Sequence, residues 1–281
     1  MAALWAARIT IARREERRFE VAYARGADGV ISGAEPIRLT GSRPGAVLLL
    51  HGYNDSPQAI ASLATTLHGR GWTVWAPLLA GHGRTLQAFA RSGADDWLGD
   101  ARRELASLKR LHTEIAVGGL SMGGAIAFTL AAEHPEVRAV IAFAPYLRAS
   151  LPLRMIDVFA PVASLGASYV WSGGTRSVHD TTAAAAMIAY RRSTPRLLAQ
   201  LDRLVRVARE ALPRVKQPVL VVQSREDNRI PVPSAIEAFG RLASLDKTLH
   251  WVTGSGHVVT IDYGHESIER FAADWLDSRL A

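Results

Sequence analysis

The chain has 281 residues, 48% of them apolar and 21% charged, a composition that describes a folded globular protein and excludes a disordered or fibrous one. It contains no cysteine, so disulfide scaffolds, thiolate metal sites and thiol catalysis are excluded. The formal charge is +7, from 33 basic and 26 acidic residues. No nucleic-acid partner is expected, because the arginines are scattered from Arg8 to Arg279 among acidic residues and no basic run is interleaved with aromatics.

The first stretch, Ala2 to Ile11, is apolar around Leu4 and Trp5 and is followed by arginines. A secretory signal has the opposite order, positive charge first and a small-residue cleavage site last. Residues 1–18 are therefore expected to form an extension, either a first helix or a lead-in, in a cytoplasmic protein. Contact with a membrane surface through Leu4 and Trp5 is the other reading. No run approaches the roughly 20 apolar residues of a membrane span. The mixed-sign cluster Arg13, Arg14, Glu15, Glu16, Arg17, Arg18 is a poor polyanion site.

Arg17 to Leu39 is expected to supply antiparallel edge strands. Beyond it, short apolar runs alternate with longer amphipathic ones. Strands are predicted at 46–50, 72–76, 115–118, 139–143, 218–222 and 248–252, and helices at 57–68, 95–112, 122–133, 234–243 and 265–280. Continuous apolarity in such short runs suits strands covered on both faces. The alternation predicts an α/β fold with a mostly parallel central sheet and helices on both faces. One region breaks the rhythm. Tyr146 to Val215 offers no convincing strand, is punctuated by Pro152, Pro161 and Gly173-Gly174, and ends in a strong helix from Pro195 to Leu212. Thr194 is placed to cap that helix, and Leu197, Leu198, Leu201, Leu204, Val205 and Ala208 form its apolar stripe. The region reads as a helical cap inserted over the C-terminal edge of the sheet, where open parallel sheets bind their ligands. The expected division is a core of residues 19–145 and 216–281, with residues 146–215 as a lid.

Gly119-Leu120-Ser121-Met122-Gly123 follows an apolar strand and opens a small-residue helix, the setting in which G-x-S-x-G has meaning. A serine on so sharp a turn needs neighbours without bulk, and the helix N-terminus beside it favours negative charge. A serine hydroxyl is inert at neutral pH until a base takes its proton, and that base needs a third group to orient it. His257 stands in the Gly-rich loop after the last predicted strand. The acid is Asp227 or its neighbour Glu226, in the polar loop after the strand before it; the following Asn-Arg-Ile-Pro favours Asp227. The order Ser121, Asp227, His257 suits this architecture. Oxyanion donors are expected in the backbone N–H groups of Met122 and of Tyr53, in the loop His51-Gly52-Tyr53. The Tyr53 ring also qualifies as a pocket wall. His51 and His82 are expected to shape loops, and no metal site is expected, since no H-E-x-x-H spacing occurs.

His51-Gly52-Tyr53, Pro77 to Gly83, Asp95-Asp96-Trp97, Gly119 to Gly124, Asp227 with Ile230-Pro231, and Ser255-Gly256-His257 with Asp262 resemble the α/β-hydrolase superfamily. Within it they are most similar to the bacterial carboxylesterases and monoacylglycerol lipases. The likeness runs from about Gly45 to the C-terminus. It implies a serine hydrolase of short- or medium-chain acyl esters, monoacylglycerols among them, that needs no cofactor and whose partner is a small-molecule ester. In that setting Leu151, Met155, Phe159, Trp171 and Met187 of the cap would join Tyr53 in lining an acyl cleft. A thioesterase, an amidase, a C–C bond hydrolase, an acyltransferase or a non-catalytic binding protein shares the same scaffold.

Overall fold

The computed structural model describes residues 2–148, 169–171 and 177–280. Seven strands form one sheet: β1 (Ile37–Leu39), β2 (Gly45–Leu50), β3 (Thr73–Ala76), β4 (Glu114–Leu120), β5 (Ala139–Phe143), β8 (Val219–Ser224) and β9 (Lys247–Val252), in the order β1-β3-β2-β4-β5-β8-β9. All pairs are parallel except β1 with β3. The six long strands lie where the apolar runs predict them. Alternate residues face opposite sides: Ala46, Leu48 and Leu50 of β2 enter one apolar cluster, Val47 and Leu49 the other. That two-sided burial is why the runs are continuous.

Helices α4 (Ala94–Lys109), α5 (Met122–Glu133) and α7 (Pro195–Ala211) cover one face, and α2 (Ala61–Gly69) and α9 (His265–Asp277) the other. Residues 122–131 of α5 are all buried, which explains why this helix is apolar all round. On the opposite face, buried Glu269 accepts hydrogen bonds from Ser62 and Thr66 at 3.0 and 2.9 Å and so ties α9 to α2. α7 starts as expected, with Pro195 at its first turn and the Thr194 hydroxyl accepting the Leu197 N–H at 3.1 Å. It packs against α5 as part of the helical layer of the sheet.

Several elements differ from expectation. Residues 17–22 are not edge strand: a helix, α1 (Ala2–Ala22), runs through them, and only β1 pairs as an antiparallel edge. The run is rich in Ala, Arg and Glu, strong helix formers. The expected boundary at residue 18 falls inside α1. Its last turns are anchored by Phe19, stacked 4.8 Å from Tyr190, and by Glu15 on Arg192 at 2.7 Å. Between residues 146 and 215 a two-residue antiparallel pair, β6 (Val170–Trp171) and β7 (Arg192–Ser193), appears where no strand is expected, and α6 (Thr181–Ala186) forms on the Ala183–Ala186 run. A further short helix, α3 (Leu86–Arg91), precedes α4 without being predicted, whereas α8 (Val232–Gly240), between β8 and β9, lies where a helix is expected.

Between the segment at 179–180 and the loop after β9, Asp262 acts as a knot. Its carboxylate accepts the backbone N–H groups of His179, Asp180, Gly256 and Tyr263, each at 2.7–2.8 Å. Burial alone would raise its pKa, but these four donors hold it below the ordinary aspartate value. The carboxylate thus fixes the loop between β9 and α9 to the segment at 179–180. Asp262→Ala is expected to cost on the order of 2–4 kcal/mol in a urea titration, since it strands buried amides. A group with a depressed folded pKa stabilises the protein above its unfolded pKa and stops doing so as pH falls through the folded value. The gap between wild type and variant is therefore expected to be full at pH 7 and to close below about pH 4.

Candidate active site

The chain order of the sheet reverses between β2 and β4, and the crevice outside the carboxyl ends of such strands is where ligands bind. β4 ends in Leu120 and α5 begins at Met122, leaving Ser121 as the single residue of the turn. Its backbone stands at φ 53°, ψ −111°, a left-handed conformation that costs a non-glycine residue on the order of 1–3 kcal/mol. The turn persists because its surroundings fix it. Ser121 donates its N–H to the Phe143 carbonyl at 2.9 Å, and its own carbonyl accepts from Ala125 and Tyr146. The flanking glycines are there for space. A Cβ on Gly123 would collide with the Leu50 carbonyl, and one on Gly119 would sit 2.5 Å from the same oxygen.

Three side chains predicted from sequence are brought together. The Nε2 of His257 lies 2.8 Å from the Ser121 Oγ, and its Nδ1 lies 2.8 Å from the Asp227 Oδ2. Ser121 is 8% exposed and His257 6%, so the pair is shielded yet still reachable. Asp227 is saturated with donors: Oδ2 also accepts from Gln223 Nε2 at 2.7 Å, and Oδ1 accepts the N–H groups of Arg229 and Ile230 at 2.7 and 2.9 Å. Burial raises its pKa, but His257 and the hydrogen bonds outweigh it and keep the carboxyl below the usual aspartate value. Glu226, the alternative acid, points elsewhere and accepts the Gly254 N–H at 2.7 Å. Glu226 thus helps to shape the histidine loop.

The Met122 N–H sits at the first helical position, among the amides that helix geometry leaves without an intrahelical acceptor. Tyr53 lies in the turn after β2, next to Asn54, which is left-handed at φ 69°. The Tyr53 ring packs against Phe89 and Trp97, with centroids 5.2 and 6.0 Å away, and its hydroxyl bonds Ser193 on β7. His51 braces this turn, donating from Nδ1 to the Gly52 carbonyl at 2.9 Å and accepting the Leu79 N–H on Nε2 at 3.1 Å. Complete burial pushes its pKa down to about 4, which keeps it neutral and able to accept. Met187, like Ala183 and Ala184, packs against the apolar cluster that α2 and α9 enter. Of Trp171 only the backbone is described, and Leu151, Met155 and Phe159 lie outside the described residues.

Two acidic or amide groups at this site carry no sequence motif of their own. Gln223 is the penultimate residue of β8, and Asp55 lies three residues past Gly52. An amide four positions before an acid, on a strand end, is the only written trace of the first. Among the described residues no group of three or more His, Asp or Glu could hold a metal ion, and no helix is long and apolar enough to cross a membrane.

Known proteins resemble this chain over most of its length. A thermostable monoacylglycerol lipase of Bacillus sp. (strain H-257) is 29% identical over 245 residues, 85% of this chain and 92% of that protein. A carboxylesterase of Bacillus subtilis (strain 168) is 28% identical over 234 residues, 83% of this chain and 92% of that protein. A solved structure from work on LipS and LipT, two metagenome-derived lipolytic enzymes, superposes with a TM-score of 0.81 at 32% identity, covering 89% of this chain and 99% of that one. The family model described as serine aminopeptidase, S33, matches residues 41–263, most of the sheet and all three of Ser121, Asp227 and His257. With so long a match, the chain belongs to this family of α/β-hydrolases.

Proposed function

We propose that the protein is a serine hydrolase of carboxylic esters with short- or medium-chain acyl groups, acting through an acyl-enzyme on Ser121. The observation that carries this reading is the continuous chain of 2.8 Å contacts from Ser121 Oγ through His257 to Asp227. In the reaction the Ser121 oxygen attacks the ester carbonyl as its proton passes to His257 Nε2. Asp227, held ionised, keeps the Nδ1 proton facing it and stabilises the imidazolium that forms. The N–H groups of Met122 and Tyr53 take the negative oxygen of the tetrahedral intermediate, aided by the positive end of α5. His257 then returns its proton to the alcohol oxygen, the C–O bond breaks, and a water repeats the sequence on the acyl-enzyme to release the acid.

The description of the family as aminopeptidases favours a second reading, cleavage of an amide by the same residues. The relatives named lipase and carboxylesterase, which match over more than four fifths of the chain, support the ester. An ester and an anilide of one acyl group, compared by kcat/KM, are expected to favour the ester; a preference for the anilide would reverse the assignment.

Ser121→Ala is expected to reduce hydrolysis of a p-nitrophenyl ester by at least about a thousandfold, with an unchanged circular dichroism spectrum and no labelling by a fluorophosphonate. Asp227→Asn is expected to lower kcat by roughly 10³- to 10⁴-fold, because the amide no longer holds the required tautomer of His257. Undiminished turnover in either variant would remove these residues from the mechanism. Gln223→Leu, which deletes one donor to Asp227, is expected to lower kcat roughly ten- to a hundredfold and leave KM nearly constant.

A further inference from the structure

The turn that carries Tyr53 is gripped by a distant segment, residues 186–193, which runs from the end of α6 into β7. Four contacts join the two. The Gln58 side-chain amide takes the backbone of this segment at two points, donating from Nε2 to the Ala186 carbonyl at 3.0 Å and accepting the Ile188 N–H on Oε1 at 2.9 Å. The Asn54 carbonyl accepts the Tyr190 N–H at 3.2 Å, and the Tyr53 hydroxyl meets the Ser193 hydroxyl. His51 supports the same turn from the side of Gly52 and Leu79.

The gripping segment is itself strained. Arg191 stands at φ 50°, a left-handed backbone that a non-glycine residue keeps only where its surroundings fix it. The core supplies part of that fixing: Tyr190 donates its hydroxyl to the Gly81 carbonyl at 2.8 Å and stacks on Phe89 at 4.3 Å. The N-terminal helix supplies the rest. Glu15 accepts from Arg192 Nε at 2.7 Å, Phe19 stacks on Tyr190 at 4.8 Å, and just past the helix the Tyr23 hydroxyl donates to the Ala189 carbonyl at 3.4 Å. These contacts fall on both sides of Arg191. Glu15 and Phe19 are four positions apart and so share one face of α1, whereas Arg13, Arg14, Arg17 and Arg18 are exposed. α1 lies wholly before residue 41, where the family match begins, so its hold on the segment is not part of what that match accounts for.

We propose that α1 clamps the oxyanion turn, with Glu15 and Phe19 as positioning residues that act through segment 186–193 and Gln58 to fix the place of the Tyr53 N–H. The proposal rests on the ester-hydrolase reading and deepens it by naming residues that set its transition-state geometry. An oxyanion donor is effective only at about 2.7–3.1 Å from the developing charge, and a misplacement of about 1 Å can cost on the order of a hundredfold in rate. Loosening the clamp displaces a donor that matters in the transition state more than in the bound ester, so the loss falls on kcat and not on KM.

The test measures kcat and KM on a p-nitrophenyl ester for the wild type, Glu15→Ala, Glu15→Gln, Phe19→Ala, Gln58→Leu and the double variant Glu15→Ala/Gln58→Leu, with Ser121→Ala as the blank. Glu15→Ala and Phe19→Ala are expected to lower kcat about tenfold and to change KM less than about twofold. A trifluoromethyl ketone analogue of the ester, to which Ser121 adds to form a tetrahedral oxyanion, is expected to lose affinity in the same proportion as kcat/KM. Glu15→Gln still offers Arg192 an acceptor and is expected to keep most of the wild-type kcat. In the Gln58→Leu background, where part of the grip is already gone, Glu15→Ala is expected to add less than its single effect, because the two act along one path. Unchanged kcat in Glu15→Ala, a rise in KM at constant kcat, unchanged affinity for the ketone, or effects of Glu15→Ala and Gln58→Leu that simply multiply would each overturn the proposal. Should Phe19→Ala fail to fold, Glu15→Ala and the double variant decide the matter by the same measures. Failure of the wild type to cleave any ester, or full activity in Ser121→Ala, would instead defeat the underlying reading and this proposal with it.

Discussion

The site depends on one close approach, that of the β4–α5 turn to the end of β2. Gly119 and Gly123 lie against the Leu50 carbonyl with no room for a Cβ, and this contact lets Ser121 occupy a left-handed backbone between them. The strain is local and is offset by the sheet: β4 is central, paired on one side with β2 and on the other with β5, and the Ser121 N–H continues the ladder onto Phe143. A serine on a helix or in the middle of a strand would present its hydroxyl to a packed layer. Here the turn lifts it clear of the sheet, at the edge where the loops after β2, β8 and β9 also end.

Several buried polar groups around this serine are held by more than one hydrogen bond. Asp227 is saturated so that it stays ionised and still, and Asp262 is saturated so that the histidine loop has one conformation. His51 is kept neutral by burial and uses both ring nitrogens to brace the turn carrying Tyr53. Hydrogen bonds spent on rigidity in this way are what preorganise a site before any substrate arrives. Among the described residues Asp55 lacks such donors, and the buried Ser56 Oγ, Gln223 Oε1 and Ser255 Oγ also have no hydrogen-bond partner.

Residues 190–193 are joined to distant parts of the fold by specific contacts. Tyr53 reaches Ser193 on β7, Tyr190 donates its hydroxyl to the Gly81 carbonyl at 2.8 Å, and α1 is held by Glu15 on Arg192 and Phe19 on Tyr190. The turn that carries a proposed oxyanion donor is therefore linked to β7 and, through the Tyr190–Phe89 stack at 4.3 Å, to α1. These links connect residues more than a hundred positions apart, and no local pattern in the chain announces them.

Much of the architecture was written in periodicity. Six strands covered on both faces read as continuous apolar runs, α5 as a small-residue apolar helix, and α7 by its cap, its Pro195 and its stripe, because each of these is a nearest-neighbour property of the chain. The glycine-flanked serine and the loop positions of Asp227 and His257 were legible for a related reason: steric exclusion and strand ends leave marks within a few residues. What only the tertiary structure decided is whatever depends on side chains meeting across the fold. It chose Asp227 over Glu226 by aiming one at His257 and the other at Gly254, recruited Gln223, turned the Tyr53 ring toward Phe89 and Trp97, and made a helix of residues 17–22. It also withheld from Asp55 the donors that Asp227 and Asp262 receive. Composition cannot record such choices, since the energy of a hydrogen bond or a buried charge belongs to the pair and its surroundings and not to either residue alone.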